Sequence, residues 1–106
     1  MKFSRLDDMT RGWFIGDFAP SVNRTKQFET AVQHFSKGDV EAAHFHKIAT
    51  ETTVIIKGEA IMGGRKCTEG DIIVVPPGEA TSFEAVTDVT TVVVKFPSVP
   101  NDKYPA

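Results

Sequence analysis

Residues 38–58 read GDVEAAHFHKIATETTVIIKG, and the reading of the whole chain turns on this stretch. Glycines stand at both ends, and the β-branched run Thr52-Thr53-Val54-Ile55-Ile56 marks a strand that follows a first one across a short polar loop. His44 and His46 lie two apart. Side chains two apart on a strand share a face, so both imidazoles point to one place while Phe45 points the other way. Glu51 opens the next strand after Lys47-Ile48-Ala49-Thr50, and its carboxylate is expected to meet the imidazoles across the strand pair. Two imidazoles and a carboxylate converging with positions left open form a divalent-metal site, suited to iron and tolerant of zinc, manganese, nickel or copper.

The composition around this stretch agrees with strands. The chain holds 12 Val, 7 Ile and 11 Thr against a single Leu, a balance that favours pleated surfaces over helices. With 106 residues, 41% apolar and 25% charged, residues 1–106 are expected to form one folded domain with a barrel core over about 13–96. Net charge is -2 and the cations are scattered, which excludes a phosphate-tracking surface, so no nucleic-acid partner is expected. No run approaches the roughly 20 apolar residues of a membrane span, and MKFSRLDDMT carries no apolar stretch behind its positive charges. A cytoplasmic protein without a membrane partner is therefore expected. Cys67 is the only cysteine and reads as an inert strand thiol.

Turn residues punctuate the chain evenly, from Gly12 and Gly16 through Lys37-Gly38-Asp39, Lys57-Gly58-Glu59, Gly63-Gly64, Glu69-Gly70-Asp71 and Pro76-Pro77-Gly78 to Pro97. Between them about eight strands are predicted: 13–18, 28–36, 42–47, 52–57, 59–62, 72–75, 81–85 and 90–96. Eight short strands suit an all-β small jelly-roll barrel with a ligand-sized interior. The residues before Trp13 read as a short N-terminal arm or one helical turn. Residues 97–106, with Pro97, Pro100 and Pro105, read as an extended C-terminal strap.

The central stretch resembles the first motif of the cupin superfamily: Gly38, five residues, His44, Phe45, His46, four residues, Glu51, six residues, Gly58. The segment GDIIVVPPG, with Gly70, Pro76 and Gly78, resembles the opening of the second motif. Where that motif carries its remaining histidine ligand this chain has Thr81, and its closing asparagine is replaced by Ala85. The resemblance implies a cupin barrel, a metal held by His44, His46 and Glu51, and pairing of barrels into a homodimer. It leaves the reaction open, because cupins include dioxygenases, isomerases, epimerases, decarboxylases, storage proteins and sensory domains. Losing the fourth ligand weakens metal binding or makes room for substrate.

Other residues complete the expected site. Thr81, Thr53, Ile55, Met62 and Phe83 are expected to line a mostly apolar pocket. His34, on the strand before the Lys37-Gly38-Asp39 turn, would fall near Ala43 or His44 in a hairpin and is a candidate substitute ligand. Glu79 is a candidate ligand or proton donor at the barrel mouth, whereas Glu84 points away from Thr81 and Phe83. An outward Phe45 needs covering by the arm, the strap or a second subunit, and Trp13, Phe14 and Phe18 also suggest a packing surface. Three functions stand open: a barrel binding a divalent metal (Zn, Fe, Mn or Ni) and a small organic acid or sugar; a metal-free sugar-nucleotide isomerase or epimerase, because His44-Phe45-His46-Lys47 looks like the His-x-His-Lys stretch of ketoisomerases, with Arg24, Arg65 or Lys66 on phosphate; and a non-catalytic carrier or scaffold.

Overall fold

The computed structural model describes all 106 residues. Ten strands form two five-stranded antiparallel sheets: β1 (Trp13–Ile15), β2 (Glu29–Phe35), β3 (Val40–Phe45), β4 (Thr50–Lys57), β5 (Ala60–Met62), β6 (Arg65–Cys67), β7 (Ile72–Val75), β8 (Thr81–Ala85), β9 (Val89–Phe96) and β10 (Tyr104–Pro105). One sheet runs β1-β2-β9-β4-β7, the other β10-β3-β8-β5-β6. The chain before β1 makes a 3-10 turn over Leu6–Asp8. No helix is long and apolar enough to cross a membrane.

The architecture matches the all-β expectation, and the departures have local causes. Lys37-Gly38-Asp39 does not close a hairpin. β2 pairs with β1 and β9, whereas β3 pairs with β8 and β10, so this turn carries the chain from one sheet to the other. His34 consequently lies opposite Thr90, far in register from Ala43 and His44. β3 and β4 also sit in different sheets, so Glu51 meets the imidazoles across the sandwich, not across a strand pair. Two strands were not anticipated. β6 follows Gly63-Gly64, whose φ values of 58° and 78° fit a two-residue hairpin turn bringing Met62 opposite Arg65. β10 is the end of the strap, which adds to the edge of β3 with Tyr104 opposite Phe45.

At one end the interior is sealed by Ile55, Ala60, Met62, Cys67, Phe83, Ala85 and Val89, with Phe35 and Ile73 packed against them. The Phe35 and Phe83 rings lie 4.4 Å apart. Gly58 is obligatory there: a Cβ at this position, where φ is 91°, would lie 2.1 Å from the Asp88 carbonyl oxygen.

Candidate metal centre

β3 contains a bulge. Glu41 is opposite Phe83 and His44 opposite Thr81, so three steps on β3 match two on β8. One extra residue reverses the parity of everything beyond it, which lets Glu41 and His44 line the same cavity despite their odd spacing. His46 follows two residues later, just past the strand. The side chains are 8% and 4% exposed respectively, with ring centroids 5.4 Å apart and planes at 76°.

Each imidazole is oriented from behind. His44 Nδ1 donates to the Ala42 carbonyl at 3.1 Å, and His46 Nδ1 donates to the carbonyl of Asp102. A carbonyl only accepts, so both rings carry a proton on Nδ1, which leaves Nε2 as the atom free to ligate a metal. His46 Nε2 lies 3.0 Å from Glu51 Oε2, and one donor atom from each of His44, His46 and Glu51 falls within 4.8 Å of the others. Donors bound to one ion at about 2.0–2.2 Å in a tetrahedral shell are about 3.3–3.6 Å apart, so side-chain shifts of about an ångström bring this set onto a single ion. The donors present fit a divalent cation.

The electrostatics point the same way. The hydrogen bond to Glu51 raises the His46 pKa above its ordinary value of 6.5 despite burial, with help from the Asp102 carbonyl. Burial pushes Glu51 up, but the His46 hydrogen bond and charge outweigh it and hold the carboxyl below its ordinary 4.5. A proton on His46 Nε2 thus occupies the place where a cation would sit between these groups.

The loop after His46 is shaped by a residue that the sequence reading missed. Asp102, buried in the strap, accepts hydrogen bonds from the amides of Lys47, Ile48 and Ala49 at 2.9, 3.1 and 2.9 Å. Burial alone would raise its pKa; these three donors lower it below the ordinary carboxylate value. The second motif closes the loop from the other side, the Gly78 amide donating to the His46 carbonyl at 2.7 Å. Asp102 lies 56 residues from His46, and the only signal for it is an acidic residue in a proline-rich tail.

Thr53, Met62, Thr81 and Phe83 line a chamber of about 30 Å³ together with His44 and Glu51. Thr91, on the same wall, has a buried hydroxyl with no protein partner. Ile55 lies one step deeper, in the sealed core. His34 is exposed, and its Nδ1 pairs with Thr90 Oγ1 at 3.0 Å, which removes it from the candidate ligands. Glu79 is exposed in its turn and outside the donor cluster. Outward of His44, His46 and Glu51 opens a polar mouth of about 160 Å³. Lys95 stands there, opposite both Glu29 and Glu51 in the register of the β2-β9-β4 sheet. It lies 3.7 Å from Glu29 and 5.0 Å from the centre of the Trp13 ring. Burial raises the Glu29 pKa, against the opposing charge of Lys95. Of the cations considered for phosphate, Arg24 pairs with Asp17 and Lys66 with Glu59, while Arg65 borders a different cavity on β6 and β7.

No protein-family model and no curated protein matches the chain. Solved structures do. A conserved protein with a double-stranded β-helix domain from Klebsiella pneumoniae superposes with a TM-score of 0.73 at 23% identity, covering 99% of this chain and 91% of that one. An RmlC-like cupin from Shewanella frigidimarina gives 0.67 at 21% identity over 74% and 72% of the two chains. Oxalate decarboxylase from Bacillus subtilis, a protein with Mn(II) centres, gives 0.65 at 21% identity over 76% of this chain; the match spans only 24% of the decarboxylase. At these identities the likeness concerns the fold.

Proposed function

We propose that this chain, which has the cupin fold, binds one divalent metal ion through Nε2 of His44, Nε2 of His46 and a carboxylate oxygen of Glu51. A small polar ligand, an organic acid or a sugar, reaches the remaining positions from the mouth. The observation that carries this reading is the clustering of one donor atom from each of His44, His46 and Glu51 within 4.8 Å, with both Nδ1 atoms occupied by main-chain carbonyls. A bound ion supplies Lewis acidity to a ligand oxygen. The protein orients the imidazoles, holds Glu51 ionised and keeps a small chamber walled by Met62, Phe83, Thr53 and Thr81 behind the reacting positions. Zinc, iron, manganese and nickel all suit such a donor set.

Acid–base chemistry by the histidines alone has less support. Lys47 lies with its ammonium 4.1 Å from the centre of the Tyr104 ring, and Arg24, Arg65 and Lys66 do not line the mouth. Elemental analysis and chelator titration of the purified protein decide between these readings. One equivalent of metal, removed by chelator and lost in folded His46→Ala and Glu51→Ala variants, is the expected result. Retention of full stoichiometry in both variants removes these residues from the ligand set, and a metal-free protein overturns the reading.

A homodimer is part of the proposal, but on a different surface from the one that Phe45 suggests. Tyr104 of the strap packs against Phe45 with ring centres 5.5 Å apart. The uncovered apolar face is the outer side of the β9-β4-β7 sheet, where Ile56, Ile72, Val74 and Phe96 are all about half exposed or more. A second copy of the same face would remove them from water. Sedimentation that shows only an 11.6 kDa species at micromolar concentrations counts decisively against it.

A further inference from the structure

The mouth has a charge pattern of its own. Arg11, Lys95 and Lys103 line it together with Glu29, Glu41 and Glu51, three cations against three carboxylates. Two pairs are matched, Lys95 with Glu29 and Arg11 with Glu41, each at 3.7 Å, and Glu51 is bonded to His46. Lys103 makes no ion pair. A divalent cation on Glu51 turns this balance into a surplus of two positive charges around a cleft of about 160 Å³. Partial burial weakens the screening of that surplus by water. A neutral sugar would leave it uncompensated, whereas one carboxylate bound to the ion halves it and a dicarboxylate bound to the ion and facing the three cations neutralises it.

We propose that the ligand of this site is a small organic anion, a carboxylate of a few carbons, held at the mouth by Lys95, Arg11 and Lys103. This rests on the metal reading above and narrows its organic acid or sugar to the acid. Lys95 is the fixed member of the set. It is the central residue of the row Glu29–Lys95–Glu51 across three adjacent strands, mostly buried and braced against Trp13, so its ammonium is placed before a ligand arrives. Arg11 and Lys103 are exposed and close on the ligand from the rim.

The test is isothermal titration of zinc-loaded protein with malonate and with malonamide, which share a skeleton and differ in charge. Zinc alone already favours malonate, so the rim variants Arg11→Gln and Lys103→Gln decide; both positions are exposed, and the fold does not depend on them. Each variant is expected to weaken malonate binding by about threefold and the double variant by about tenfold, with malonamide binding and zinc stoichiometry unchanged. Lys95→Gln combined with Glu29→Gln, which removes the buried pair as a unit, is expected to weaken it at least as much. Malonate affinity unchanged in the double rim variant, or malonamide binding as tightly as malonate, with one equivalent of zinc still bound, overturns this inference alone. Failure of the wild-type protein to take up zinc overturns both this inference and the metal reading.

Discussion

The two ends of the barrel are built from the same strands and do opposite work. Along the inner face of β4 the side chains run Glu51, Thr53, Ile55, from a carboxylate at the mouth to a fully buried hydrocarbon two strand repeats deeper. β8 repeats the change with Thr81 and Phe83. At the sealed end stability comes from removing apolar surface from water, and nearly any well-packed hydrocarbon serves. At the open end the charged and imidazole groups are tied to named partners: His44 to Ala42, His46 to Asp102 and Glu51, Asp102 to three amides, Lys95 to Glu29. A chain of this size can host a polar site because its apolar burial and its polar chemistry are separated along the barrel axis.

That separation can be broken from either end. The largest effect is expected at the sealed end, where Ile55→Ala should cost about 4 kcal/mol in denaturant unfolding yet leave metal stoichiometry intact in the folded fraction. Loss of metal at full folding would show that the ends are not independent. Next is Asp102→Ala, which strips three amides of a charged acceptor and should cost about 3 kcal/mol of stability. Unlike Ile55→Ala it should also weaken metal binding by about tenfold or more, through the loosened His46 loop. Unchanged metal affinity in the Asp102 variant would mean that the strap only stabilises.

Thr81 sharpens the comparison. It lies opposite His44 and on the chamber wall, and on the proposed metal reading it is where one more imidazole would join the donors. Thr81→His is expected to raise zinc affinity by at least tenfold, about 1.4 kcal/mol, and to lower any metal-dependent turnover by closing the shell. Unchanged or weaker affinity in a folded variant removes Thr81 from the site.

The smallest effect is one of pH on the metal-free protein. His46 has a raised pKa, so its contribution to stability is complete below 6.5 and is lost as pH climbs through the higher folded value. Glu51 has a lowered one, so its contribution is present above 4.5 and disappears as pH falls through the lower folded value. The pair therefore stabilises most between about 4.5 and 6.5, and His46→Gln should flatten the alkaline side of the melting profile. Metal uptake runs against the same proton and should strengthen as pH rises above 6.5. A melting temperature indifferent to pH on that side would show that His46 carries no bridging proton.

Much of this was legible in the residues. Val, Ile and Thr content with evenly spaced turn residues predicts an all-β barrel, and the i, i+2 histidines followed by Glu51 predict side chains that the fold does bring together. The rest depends on pairings that local sequence does not encode. A glycine turn looks the same whether it closes a hairpin or crosses between sheets, and that ambiguity misplaced His34. The bulge that turns Glu41 and His44 to one side has no residue signature. Lys95 reads as the polar end of an apolar strand until the register sets it between two carboxylates.

The strap gives the site an order of completion. All three donor residues have been synthesised once position 51 is made, yet the amides of Lys47, Ile48 and Ala49 have no acceptor, and His46 Nδ1 no carbonyl, until Asp102 follows. A nascent chain that stops short of the strap carries the whole donor set without the means to aim it, so geometry, not composition, is what this site acquires last.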